Sequence, residues 1–175
     1  QWDDDDWSAP DRLETQHAAL VREQADAVTL YATLMHVDDP LYFHKPFYGL
    51  LKGGVPPTVM HLRDDEVRFP ELRRTSDTHY KNVWRQRRYH IMPMKHAHLH
   101  LRYFHGDNLW ERDHFIRRMR NTPQDLIAYG WWKFVRRNIF GHSRFQISAD
   151  ARHAFATYLD HSRECDLFAE FLQKA

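Results

Sequence analysis

Histidine is the first chemistry-bearing feature of this chain, with fourteen in 175 residues and three of them in His96-Ala97-His98-Leu99-His100. On a helix His96 and His100 share a face at an i,i+4 spacing that suits zinc, and on a strand all three share one face. The HExxH pattern is absent, and no cysteine or carboxylate at a suitable spacing completes a site, so no metal is expected. Nucleophile motifs are also missing: there is no G-x-S-x-G, no P-loop and no G-x-G-x-x-G, and Gly53-Gly54 reads as a turn. The single cysteine, Cys165, excludes a disulfide framework. It stands between Glu164 and Asp166, neighbours that raise rather than lower a thiol pKa. Asp64-Asp65 lies beside Arg63 and Arg68, which reads as a structural ion-pair cluster. No catalytic residue and no cofactor of the chain's own are expected.

One further pairing is Arg137 and His142, separated by Asn138-Ile139-Phe140-Gly141. This spacing resembles the motif of HEPN-type ribonucleases, small helical proteins in which a polar pair at a dimer interface cleaves RNA. The resemblance implies a soluble RNA-cleaving dimer as an alternative reading, although Gly141 breaks a helix between the two residues.

Positioning any of these side chains falls to a succession of elements. Leu13, Leu20, Val21, Val28, Tyr31 and Met35 recur at helical intervals and predict a helix from Asp11 to about Val37, stopped by Asp38-Asp39-Pro40. Residues 40–60 carry four prolines and three glycines among Tyr42, Phe43, Phe47 and Tyr48, which predicts loop and short turns held by aromatic anchors. A second helix is expected from Asp77 to about Tyr89, a His-rich helical piece from Met94 to Phe104, and a short helix from Trp110 to about Arg120. Thr122-Pro123 is a helix start, with Thr122 as cap and Pro123 in the first position. The segment it opens runs to Phe140, and a last helix extends from Ser148-Ala149-Asp150 to about Gln173. The expected fold class is mainly α: an acidic arm and long helix over 1–40, a helical core over 41–120 and a helical extension over 121–175.

Composition is that of a folded chain: 42% hydrophobic, 28% charged and 14% aromatic residues exclude a disordered profile. No run of eighteen apolar residues occurs, so no transmembrane helix is expected. The opening Gln-Trp-Asp-Asp-Asp-Asp shows no signal peptide and is compatible with an import segment already removed. The net charge of +1 conceals an asymmetry, since residues 1–40 carry −8 and residues 61–120 carry +6 before their eight histidines are counted. Nineteen of the 25 cations are Arg, the residue suited to bidentate, desolvated pairing at an interface. Either the acidic arm lies on the basic middle, or that middle meets a protein, lipid or nucleic-acid partner.

The stretch from about Leu62 to Arg120 resembles the subunit 7, or ubiquinone-binding-protein, family of respiratory complex III. Leu62-Arg63-Asp64-Asp65 is similar to the family's Leu/Met-Arg-Asp-Asp. Arg73-Arg74, then Tyr80 and Trp84-Arg85-Gln86-Arg87-Arg88, is similar to its paired Arg, Tyr and basic helix. Lys95-His96 follows at the family's distance, and Tyr103, Trp110-Glu111 and Arg117-Arg118 fit its charged ending. Leu99-His100 departs from the family's Leu-Pro, and 121–175 has no counterpart.

The resemblance implies a non-catalytic accessory subunit, peripheral on the matrix side of the mitochondrial inner membrane. Its partners would be cytochrome b, the core subunits and phospholipid such as cardiolipin, with no nucleic acid, while haem and quinone would belong to neighbouring subunits. Partner-binding residues on this reading are Arg63, Tyr80, Trp84, Arg85, Arg87, Arg88, Lys95, His96 and Trp110. The alternative assemblies are ATP synthase, complex I and the ribosome.

Overall fold

The computed structural model describes residues 6–72, 75–105 and 112–168. Helix α1 (Arg12–Arg22) begins where expected but stops fifteen residues early. Its end is a Schellman turn: Gln24 takes φ 48, the Gln24 amide donates to the Val21 carbonyl, and the Ala25 amide donates to that of Leu20. Gln in place of the usual glycine hides this stop from a reading of the sequence.

The rest of the expected long helix is strand. β2 (Ala27–Leu30) and β3 (Ala32–Val37) form one extended run broken at Tyr31, and every residue of both strands is buried. A strand covered on both faces has no polar alternation, so its apolar positions also satisfy helical spacing. The fold is therefore mixed α/β, and the mainly α expectation is overturned.

Further strands fall inside the segment expected to be a helical core. They are β4 (Phe47–Leu50), β5 (Met60–His61), β6 (Tyr89–Met92) and β7 (His100–Phe104), joined by β1 (Trp7–Ser8) from the N-terminal arm. One sheet has the order β1-β7-β3-β4 and the other β5-β2-β6. β3 runs parallel to β7, with Leu34 opposite Leu101 and Val37 opposite Phe104, and β2 runs parallel to β6. The other pairings are antiparallel. The segment 27–37 thus lies inside both sheets, which explains its complete burial.

Helices cover both faces of the larger sheet. Leu34, Tyr48, Leu50 and Leu101 meet Ala151, Ala154, Phe155 and Tyr158 of α5 (Ala149–Glu164). From the other face Met35, Phe47 and Phe104 meet Phe115 and Ile116 of α3 (Arg112–Arg117), Met119, and Tyr129 of α4 (Pro123–Gly130). The caps of α4 and α5 are as expected: Thr122 Oγ1 accepts from the Asp125 amide and Ser148 Oγ from the Ala151 amide. α5 ends at Glu164 in a second Schellman turn, with Asp166 at φ 57 and the Leu167 amide donating to the Ser162 carbonyl. The helix expected to reach Gln173 therefore stops earlier, and residues beyond 168 lie outside the described residues. Among the described residues no helix is long and apolar enough to cross a membrane.

Candidate anion-binding surface

The basic segment is carried by α2 (Ser76–Trp84) and the turn after it, against the small sheet. Trp84 is fully buried with Ala27 and Val59. Its indole stacks on the His61 ring at 4.2 Å, and the Arg87 guanidinium lies 4.8 Å from it. Tyr80 is half-buried, and its hydroxyl donates to His61 Nε2 at 2.8 Å while His61 Nδ1 donates to the Leu62 carbonyl. These aromatic residues hold the helix to the sheet. Trp84 is part of the core and presents no ring to a partner.

Two of the expected partner-binding arginines are paired internally. Arg87 Nη1 lies 2.6 Å from Asp64, and Arg88 holds Asp26 through its guanidinium at 2.6 Å and through its backbone amide. Those pairs hold both carboxyls below the usual range, through hydrogen bonds from Arg87 to Asp64 and from Arg88 to Asp26. Arg63 pairs with Asp65 at 3.1 Å with both side chains open to solvent. Lys95 is exposed and His96 half-buried on a 3-10 turn, Met94–Leu99, separated from α2 by β6. Trp110 lies outside the described residues, as does the Arg73-Arg74 pair.

Arg85 is different, and its companion is Lys81, which the sequence places on the same basic helix surface but which is not among the expected partner-binding residues. Lys81, one turn earlier on α2, is only 4% exposed, and its Nζ donates to the Gly54 carbonyl at 3.1 Å. A Cβ added to Gly53 would stand 3.1 Å from Arg85 Nη1 and 3.5 Å from Lys81 Nζ, so both cations press on the glycine turn. Burial pushes the Lys81 pKa down, and the charges of Arg85 and Arg118 push the same way, with Asp77 opposing. No carboxylate lies within 4.0 Å of Lys81 or Arg85 among the described residues. A buried ammonium without a counter-ion is costly, and an oxyanion at this turn would relieve it. The sequence signals for Lys81 are its place in the basic run with Arg85, Arg87 and Arg88 and its i,i+4 spacing to both Asp77 and Arg85.

The fold also places the other chemistry-bearing residues singled out in the sequence. His100 is enclosed: its Nε2 donates to Asp6 at 3.2 Å and its Nδ1 accepts from Arg12 at 3.1 Å. Arg12 also reaches Ser8, Gln16 and the Pro57 carbonyl, tying α1 to β7 and to the turn before β5. His96 and His100 therefore share no open face. His142 is fully buried, with Nε2 donating to the Asp125 carbonyl and Nδ1 accepting from the Arg144 amide, whereas Arg137 is exposed at φ 49. Cys165 is an exposed thiol just past α5.

No family model, no curated protein and no solved structure matches this chain.

Proposed function

We infer that the protein works by binding, as a non-catalytic accessory subunit that docks through the cationic end of α2. The observation that carries this reading is the exposed Arg85 at Gly53-Gly54, backed by the charge of the buried Lys81, with no carboxylate partner for either among the described residues. Fixed cations of this kind suit a carboxylate on a neighbouring protein or a lipid phosphate. The proposed assembly is respiratory complex III, on the matrix side of the inner membrane, with cytochrome b, core subunits and anionic phospholipid as neighbours. Its support is the order of Leu62-Arg63-Asp64-Asp65, Tyr80, Trp84-Arg85-Gln86-Arg87-Arg88 and Lys95-His96. The fold adds nothing to it, because those motifs are spread over strands, turns and a core tryptophan rather than a helical bundle.

Native purification in mild detergent through a tag on this chain tests the proposal. Co-purifying cytochrome b with a haem b spectrum, lost in the Lys81→Met/Arg85→Gln double variant, is the expected result. Recovery with ATP synthase, complex I or ribosomal proteins would reject complex III while keeping the docking role. Recovery alone would reject both.

A further inference from the structure

A second feature, independent of the α2 surface, lies beyond the carboxyl end of β3. In open sheets with parallel strands, ligands gather outside those ends. Here His44-Lys45-Pro46 leads from β3 into β4 and forms one wall of a cleft of about 340 Å³. The lining is completed by Phe140, Phe145 and the first turns of α5, from which Arg152 is exposed and Phe155 buried.

The walls are held before any ligand arrives. Phe140 and Phe145 meet edge to face at 5.1 Å, and Phe145 also contacts Phe47 at 5.4 Å. Trp132 covers Gly141 so closely that no Cβ would fit there. Arg144 is anchored by Asp125, and the Ser148 amide donates to the Tyr48 hydroxyl at 2.9 Å.

The lining is chemically one-sided. Its charged residues are Lys45 and Arg152, and no acid among the described residues lines it. Lys45 Nζ sits 5.9 Å from the centre of the Phe140 ring, and Arg152 gives one donor to the Ile147 carbonyl at 2.7 Å. Neither cation has a carboxylate within 4.0 Å among the described residues. Bare phosphate would leave the phenyl rings wet, and a neutral ring would leave the cations unmatched.

We propose that this cleft binds a small ligand that joins a flat aromatic ring to an oxyanion, the ring on Phe140 and Phe145 and the anion at Lys45 and Arg152. The anion is a phosphate monoester or a carboxylate.

Calorimetric titration of the whole chain with AMP, phenyl phosphate and benzoate tests this, with adenosine and inorganic phosphate as half-ligands. At least one ring-bearing anion should bind with a Kd of about 1 mM or tighter, and both half-ligands about tenfold more weakly. Benzoate against phenyl phosphate identifies the head group. Lys45→Gln and Arg152→Gln, both at exposed positions, should each weaken binding about tenfold with an unchanged melting temperature. Amide shifts in the NMR spectrum should cluster at 44–46 and 140–152. The proposal is overturned by no saturable binding, by adenosine equalling AMP, by variants that bind normally, or by shifts that cluster at Gly53 and Lys81 instead.

Discussion

The Nδ1 of His36 lies 3.0 Å from the Tyr158 hydroxyl, joining the interior of β3 to a helix 122 residues further along the chain. Around the imidazole stand Phe43, Tyr103, Phe155, Tyr158 and Phe168, with ring centres between 4.7 and 5.7 Å away. The ring is wholly buried, and its Nε2 has no hydrogen-bond partner among the described residues. Burial, helped by the charge of His44, holds its pKa down at about 3, and the Phe43 backbone favours the proton too weakly to offset this. His36 is a neutral wedge in an aromatic core rather than a base.

That neutrality has a pH signature. The folded pKa is depressed, so below about pH 6.5 the unfolded chain takes up a proton that the folded chain refuses. Stability should fall by about 1.4 kcal/mol for each pH unit between about 6.5 and 3 on this account. His100, whose pKa burial also lowers, acts in the same direction. Urea titrations at several pH values should show the decline, and His36→Phe should flatten it by about one proton's worth. A wild-type stability that is level from pH 7 to 4 would refute the assignment.

Trp84 separates a core role from a docking role. With the indole fully enclosed and stacked on His61, Trp84→Ala should cost about 3–5 kcal/mol of stability. Arg85→Gln, at an exposed position, should leave the melting temperature unchanged while reducing retention on anionic vesicles. If Trp84→Ala melted normally and lost only binding, the ring would be an interface anchor after all.

Residues 27–37 show why the sheets were hidden while the caps were not. Thr122-Pro123 and Ser148 act through neighbours within three residues, and both helix starts stand where local chemistry puts them. The strand run owes its state to β4, β5, β6 and β7, none of which lies within nine residues of it. Its clue was composition: Val28, Thr29, Thr33 and Val37 are β-branched. Helix ends at Gln24 and Asp166 lacked the glycine that announces a left-handed cap. At the candidate site the arginine-rich run 85–88 was visible. That Asp26 and Asp64 claim two of its members, and that Gly53-Gly54 meets Lys81, depends on long-range contacts no local pattern carries.

Gly54 is the conformational hinge of that surface. Its φ of 84° lies in the left-handed region, and a Cβ there would collide with Thr29 Cγ2. Gly54→Ala should therefore destabilise the fold by about 2 kcal/mol or more. Gly53→Ala meets only the movable ends of Arg85 and Lys81, and should be tolerated far better. Equal melting temperatures for the two variants would contradict this ranking.

The buried pair of Asp125 and Arg144 supports the cleft wall at 142–145, with each side chain about 10% exposed. Burial alone would raise the Asp125 pKa, but hydrogen bonds from Arg144 and Thr122 outweigh it and leave the carboxyl below its ordinary value. A depressed carboxyl pKa contributes stability above about 3.8 that is lost as pH falls through the lower folded value, a window below most of the His36 decline. Asp125→Asn keeps the shape but strands the Arg144 charge, and should cost about 3–5 kcal/mol. Adding Arg144→Met to that variant should recover much of the loss, because the stranded cation, rather than the missing attraction, dominates the penalty. The double variant should still bind ring-bearing anions, since His142 keeps its hydrogen bonds to the Asp125 carbonyl and from the Arg144 amide, both of them backbone groups. A single variant as stable as the wild type would show that the pair is solvated and that other contacts hold the wall.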